Sequence, residues 1–137
     1  MFILRDALPA TELADLVGAS LATRLLDSGA AAADRNGTVR MVLDIRPHMI
    51  VGANRWVFSD ADASMTRHVP GPDHVLGVGA ASLSLLQSTP VTPVGSVLDL
   101  GTGSGVQALG QFGLAESITA TDVHPRALDL AEATFAG

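Results

Sequence analysis

"VLDLGTGSGV", residues 97–106, runs from a short apolar stretch straight into Gly101, Gly103 and Gly105. Glycine loses more conformational freedom on folding than any other residue, so three glycines this close need a physical reason. One reason would be a flexible linker, the other a tight turn where something must approach the backbone. The flanking sequence decides between them. "SVLDL" (96–100) is apolar and β-rich, and "VQALGQFGL" (106–114) is compatible with a short helix whose Val106, Leu109 and Leu114 face a sheet. "SITATD" (117–122) reads as a second strand. "PRALDLAEATFA" (125–136) reads as a helix with Pro125 in its first turn and Ala127, Leu128, Ala131 and Phe135 on its inner face. A linker has no place inside a β–α–β–α unit, so the glycines are predicted to form a tight turn.

That order of elements predicts an α/β fold whose C-terminal part is the β-α-β-α beginning of a Rossmann-like core. Spacing then separates the ligands such a turn could take. A dinucleotide site needs G-x-G-x-x-G, whereas the position three beyond Gly103 is Val106. The pattern is G-x-G-x-G, with Asp99 before it and Asp122 at the end of the second strand. Ligands of parallel sheets sit at the carboxyl ends of the strands, where Asp122 could accept hydrogen bonds from ribose hydroxyls. The combination suits a nucleoside without phosphates.

"VLDLGTGSG" together with "ITATDVHPRALDLA" resembles motifs I and II of the class I S-adenosylmethionine-dependent methyltransferases. "DHVLGVGAASLSLLQ" (73–87) is similar to the segment that leads into this core in the branch containing the release-factor glutamine and ribosomal-RNA amino methyltransferases. The likeness covers about residues 73–137. It implies S-adenosyl-L-methionine as cofactor, lined by Gly101, Thr102, Gly103 and Gly105. It further implies Asp99 near the methionine end, Asp122 on the ribose and Val123 against adenine. The transferase activity it implies is methylation of an amino or amide nitrogen on RNA or protein. The Asn/Asp-Pro-Pro-aromatic motif that binds the target amine in such enzymes is absent from the sequence. No catalytic residue is therefore assigned. The family core has seven strands, so the chain is expected to be a piece that is inactive alone and that self-associates or pairs through exposed sheet edges. As rivals stand a nicotinamide-dependent oxidoreductase fragment and a non-enzymatic winged-helix nucleic-acid-binding protein. As the plainer alternative to a cofactor role, Asp99 could simply cap the following helix.

Working outward to the N-terminal side, Leu13, Leu16, Val17 and Leu21 follow helical spacing after Pro9. Gly18 is placed to end that helix and Ser20 to cap the next, which carries Leu21, Leu25 and Leu26 before Ser28-Gly29. Asn36-Gly37 signals a two-residue hairpin, with Val39, Met41, Leu43 and Ile45 alternating along the returning strand. "NRWVFSD" (54–60) adds one strand, with Trp56 in a packing role. Two helices, a turn and a hairpin compose a winged-helix-like module, predicted over residues 1–68, with the partial cofactor domain over 73–137 and "HVPGPDH" (68–74) between them. Arg35, Arg40 and Arg46 lie on the hairpin among Asp34 and Asp44, a mixed-charge face rather than a basic stripe.

Composition bounds the rest. The 137 residues are 47% hydrophobic and 16% charged, enough apolar material for a core. The net charge of −6 argues against general attraction to nucleic acid. All eight basic residues are arginines. Seven of them stand against nine acids in residues 1–73, and only Arg126 against five acids in 74–137. Absence of cysteine excludes disulfides and thiolate metal sites and fits a reducing compartment. "MFILRDALP" is too short an apolar run for a signal segment, and the chain is expected to be cytoplasmic. His48, His68, His74 and His124 have no metal-ligand spacing and read as surface or structural residues.

Overall fold

The computed structural model of the chain describes residues 6–61 and 70–137. They form a mixed α/β arrangement of helices and three small sheets. Two compact units divide between Asp44 and Ile45, upstream of the 68–74 stretch at which the composition changes. His68 lies outside the described residues. Among the described residues no helix is long and apolar enough to cross a membrane.

The first unit holds β1 (Leu8–Pro9), α1 (Ala10–Val17), α2 (Ala19–Asp27), β2 (Ala31–Ala33) and β3 (Thr38–Met41). The three strands form one antiparallel sheet in the order β1-β3-β2, with Leu8 opposite Val39 and Ala31 opposite Met41. Gly18 ends α1 in the left-handed region at φ 84° and also stands at the N-cap of α2, so Ser20 lies within that helix and does not cap it. Leu13 and Val39 are fully buried, whereas Leu16 and Leu21 stay exposed. The helical spacing is real, but only part of each stripe faces the small core.

The hairpin turn is longer than Asn-Gly alone. It spans Asp34 to Gly37, and the Asp34 carboxylate accepts the Asn36 and Thr38 N–H groups at 2.8 and 2.9 Å. An aspartate that satisfies two turn amides outcompetes the tighter connection. The returning strand also stops short. Val42 leaves the ladder to donate its N–H to the Ala30 carbonyl at 2.9 Å, and Leu43 begins a different sheet.

The second unit contains β4 (Leu43–Ile50, beginning at the division), β5 (Ala53–Asp60), α3 (Ala80–Ser88), β6 (Val94–Leu100), α4 (Val106–Leu109), β7 (Ala115–Thr121) and α5 (Pro125–Ala136). β6 and β7 are parallel, with Leu98 opposite Thr119 and Leu100 opposite Thr121. Each begins two residues earlier than its apolar run, at Val94 and Ala115. α4 is four residues long and does not reach Leu114, because Gly110 ends it and Gly113 takes φ 80°. α5 matches its predicted span, but Ala127, Leu130, Ala131 and Thr134 are its buried residues while Leu128 faces outward. These positions step by three and four, the inner stripe of a helix. α3 was not foreseen as a helix, and it has no buried residue.

Ile50, Val57, Val106 and Leu109 form a buried cluster, with Val78, Leu86 and Phe135 packed against it. The β4–β5 hairpin thus supplies core to the glycine-turn helix. Its turn, Val51-Gly52, has φ 46° and 77°. A β-branched residue in the left-handed region carries no sequence signal for a turn and costs backbone strain. Trp56 on β5 is half-exposed, so it is not a core residue. Leu98 and Leu100 are 60% and 74% exposed on a sheet of only two strands.

Replacing Val51 with Asn, which tolerates positive φ and gives up little burial at this half-exposed site, should stabilise the chain by about 1 kcal/mol. Urea denaturation of Val51→Asn beside the parent chain measures it. A destabilisation would place the strain elsewhere.

Candidate functional site

The glycine turn joins the end of β6 to α4. Gly101, Gly103 and Gly105 have φ of 73°, 54° and 82°, all in the left-handed region that side chains resist. A Cβ on Gly101 or Gly103 would meet open space, so at these two positions conformation alone demands glycine. At Gly105 packing demands it as well: a Cβ would lie 2.7 Å from Phe135 Cε1 and 3.2 Å from Ala131 Cβ on α5. The third glycine is where α5 closes on the turn.

The turn's own amides are largely satisfied from within. Gly101 and Thr102 both donate to the Thr121 carbonyl at the end of β7, at 2.9 and 2.8 Å. Gly105 donates to the Thr102 carbonyl at 2.8 Å. Gly103 donates to Asp122 Oδ2 at 3.0 Å, and Asp122 Oδ1 accepts the His124 N–H at 3.1 Å. Asp99 holds the turn as well, its Oδ2 accepting the Thr102 hydroxyl at 2.8 Å and the Ala108 N–H at 3.2 Å. Asp99 therefore braces the turn against α4.

A cleft of about 410 Å³ opens at this end of the strands. Gly101, Thr102, Gly103 and Asp122 form one part of its wall, together with His124. Asp73, His74, Val75, Leu76 and Gly77 form another part, and Ser82 and Leu85 of α3 also line it. Asp99 and Gly105 do not line this cleft. Asp99 borders a second hollow of about 350 Å³ along β6. Val123 is also outside it, 88% exposed next to Asp122. The structure thus gathers four of the seven predicted residues at the cleft and places the other three behind or beside it.

Two features went unread in the sequence. One is the 73–77 wall, signalled only by "DHVLGVG". The other is Asp60, 66 residues from its partner Arg126. Arg126 Nε lies 3.0 Å from both Asp60 oxygens, and its Nη2 donates to Asp60 Oδ1. His124, which the sequence suggests is a loop residue, and His74 both sit at the cleft, yet no group of three or more potential ligands is assembled for a metal ion among the described residues. Gln107 Nε2 donates to the Ser82 carbonyl at 2.8 Å, tying α4 to α3, while its Oε1 is buried with no partner among the described residues.

The electrostatics favour ionised acids. The Asp122 carboxyl is held below the usual aspartate range by the His124 N–H and then the Gly103 N–H, which outweigh burial. Burial pushes the Asp60 carboxyl up, but hydrogen bonds from Arg126 and from the Val75 N–H, with the charges of Arg126 and His74, together hold it below that range. Arg126 is raised in return, chiefly by its hydrogen bonds to Asp60.

No family model matches the chain, and no curated protein matches it.

Two outcomes follow from this geometry. Gly105→Ala should cost about 2–3 kcal/mol, from strain plus the clash with Phe135, against about 1 kcal/mol for Gly101→Ala, where strain acts alone. Chemical denaturation of both variants reads the difference; equal losses would mean that α5 does not close on the turn. The second concerns pH. A carboxyl whose folded value lies below its unfolded value of about 3.9 stabilises the fold fully above that value, and the contribution is lost as pH falls through the folded value. Stability should therefore drop on acidification below about pH 4, and Asp60→Asn should flatten that slope by up to about 1.4 kcal/mol per pH unit. Urea midpoints between pH 2.5 and 7 test it, and an unchanged slope would remove Asp60 from the account.

Proposed function

We propose that the cleft beside the glycine turn binds S-adenosyl-L-methionine, and that the chain is the cofactor-holding part of a methyltransferase acting on an amino or amide nitrogen of RNA or protein. The observation that carries this reading is Asp122. It stands just past the end of a parallel strand, is kept ionised, and is anchored to the Gly103 amide at the cleft wall. A carboxylate so placed has lone pairs left for the two hydroxyls of a ribose. The exposed side chain of Val123 offers an apolar surface beside it for the base.

The amide accounting supports a nucleoside over a dinucleotide. A pyrophosphate is held by backbone N–H groups at a glycine turn and a helix N-terminus. Here the amides of Gly101, Thr102, Gly103 and Gly105 are donated within the unit, and α4 is only four residues long. Val106, where a dinucleotide site has glycine, is buried in the core. The mixed-charge hairpin of the first unit gives the nucleic-acid-binding alternative no such support.

When bound, S-adenosyl-L-methionine supplies an electrophilic methyl group on a sulfonium. The chain's own contribution is to hold and orient it: Asp122 takes the ribose, Thr102 and Gly103 shape the wall, and Asp99 keeps the turn rigid from behind. The α/β arrangement with two helices and a small sheet before it is consistent with a winged-helix-like module followed by a Rossmann-like start. The uncovered Leu98 and Leu100 favour pairing of the β6–β7 ribbon with further strands or a second copy.

S-adenosylmethionine or its demethylated product should raise the melting temperature of the chain, and NAD should not. Asp122→Ala should weaken that binding about tenfold, by stranding ribose hydroxyls, while Asp129→Ala on the exposed face of α5 leaves it unchanged. Thermal shift and calorimetric titration decide it. Equal protection by NAD would defeat the methyltransferase reading.

A further inference from the structure

The 73–77 wall of the cleft has no helix or strand of its own. Irregular backbone needs outside partners to hold one shape, and this segment finds them at the end of β5. Asp60 N–H donates to the Val75 carbonyl at 3.0 Å, and Asp60 Oδ2 accepts the Val75 N–H at 2.9 Å. Gly77 presses on the neighbouring residue so closely that a Cβ there would lie 2.8 Å from Ser59 Oγ. The same Asp60 carboxylate takes Arg126 from the first turn of α5, two residues after His124, which lines the cleft as well. His74 Nδ1 stands 3.9 Å from it. Asp60 is 8% exposed and is not among the residues lining the cleft, so it cannot itself touch a ligand.

We propose that Asp60 is a positioning residue: by gripping Val75 and Arg126 together it sets the distance between the two walls of the cleft, and with it the affinity for the nucleoside-bearing ligand. The proposal rests on the reading of the cleft as the S-adenosylmethionine site. Charge is part of the grip. An asparagine at position 60 keeps an acceptor for the Val75 N–H but turns an amide or a neutral oxygen toward a guanidinium, so the wall loses its tie to α5 while the fold keeps its shape. Arg126, more exposed than Asp60, can be removed from the other end of the same tie.

The test is calorimetric titration of the full chain with S-adenosylhomocysteine, for the parent protein, Asp60→Asn, Arg126→Gln and Thr134→Val. The last is a stability control: it removes the hydrogen bond from Phe58 N–H to Thr134 Oγ1, another tie between β5 and α5, and neither residue lines the cleft or touches Val75 through that bond. Asp60→Asn and Arg126→Gln should each weaken binding about tenfold, and site-resolved amide exchange should show Val75 opening at least about tenfold faster in both without ligand. Thr134→Val should lower the melting temperature and leave affinity and Val75 exchange unchanged. Should Asp60→Asn fail to fold, Arg126→Gln carries the measurement. Parent-like affinity in a folded variant, or an equal loss in Thr134→Val, overturns the positioning role. No binding by the parent protein overturns the cofactor reading instead, a result visible before any variant is made.

Discussion

The Thr121 carbonyl accepts two hydrogen bonds, from Gly101 and from Thr102, and the architecture of the second unit follows from that pair. To donate both amides to one oxygen at the end of the neighbouring strand, the chain must reverse sharply as it leaves β6. The reversal needs positive φ at three positions, which only glycine adopts at small cost. Once the turn is made, Asp99 and Asp122 both stabilise it, one through Thr102 and Ala108, the other through Gly103. Each carboxylate lies at a strand end, where partial positive charge from turn amides is concentrated.

The same geometry divides labour between the two acids. Asp99 faces the start of α4 and is occupied in holding it, while Asp122 lies at the open cleft. Sequence position alone does not distinguish them, since both follow an apolar run and both stand close to the glycines. The difference comes from where each stands: Asp99 is still paired within β6, whereas Asp122 lies one residue past the end of β7. Gly105 shows the same coupling of local and long-range demands. Its conformation is local, but the contact with Phe135 that forbids a side chain there comes from α5, thirty residues on.

Opposite the turn, the cleft depends on an ion pair that spans the unit. Asp60 ends a strand whose neighbours Val57 and Ile50 pack on the helix of the glycine turn, and Arg126 opens the helix that packs on the turn's last glycine. Core packing brings the two charges together, and the burial of Asp60 favours the pairing, because that carboxylate alone in its environment would be costly. The wall at Val75 is held by what remains of Asp60's hydrogen-bonding capacity.

How much of this was legible depends on the range of the interaction. The tight turn, the two strands and the span of α5 could be read from residues 96–136, because glycine spacing, apolar runs and Pro125 act over a few neighbours. Asn36-Gly37 marked a hairpin, but Asp34, two residues upstream, set its length by accepting two amides. The Val51-Gly52 hairpin was invisible, since valine at φ 46° contradicts its own preference and is held there by strands that pack Ile50 and Val57 in the core. Leu128 and Leu130 are alike in composition, and only the direction from which β5 and α4 approach α5 turned one outward and one inward. The sequence by itself determined the α/β character, the glycine turn and the candidate acids, each written in local backbone chemistry. Tertiary structure alone decided which acid borders the cleft, which wall faces it and which pair of charges holds that wall, because those depend on contacts across dozens of residues that no local pattern encodes.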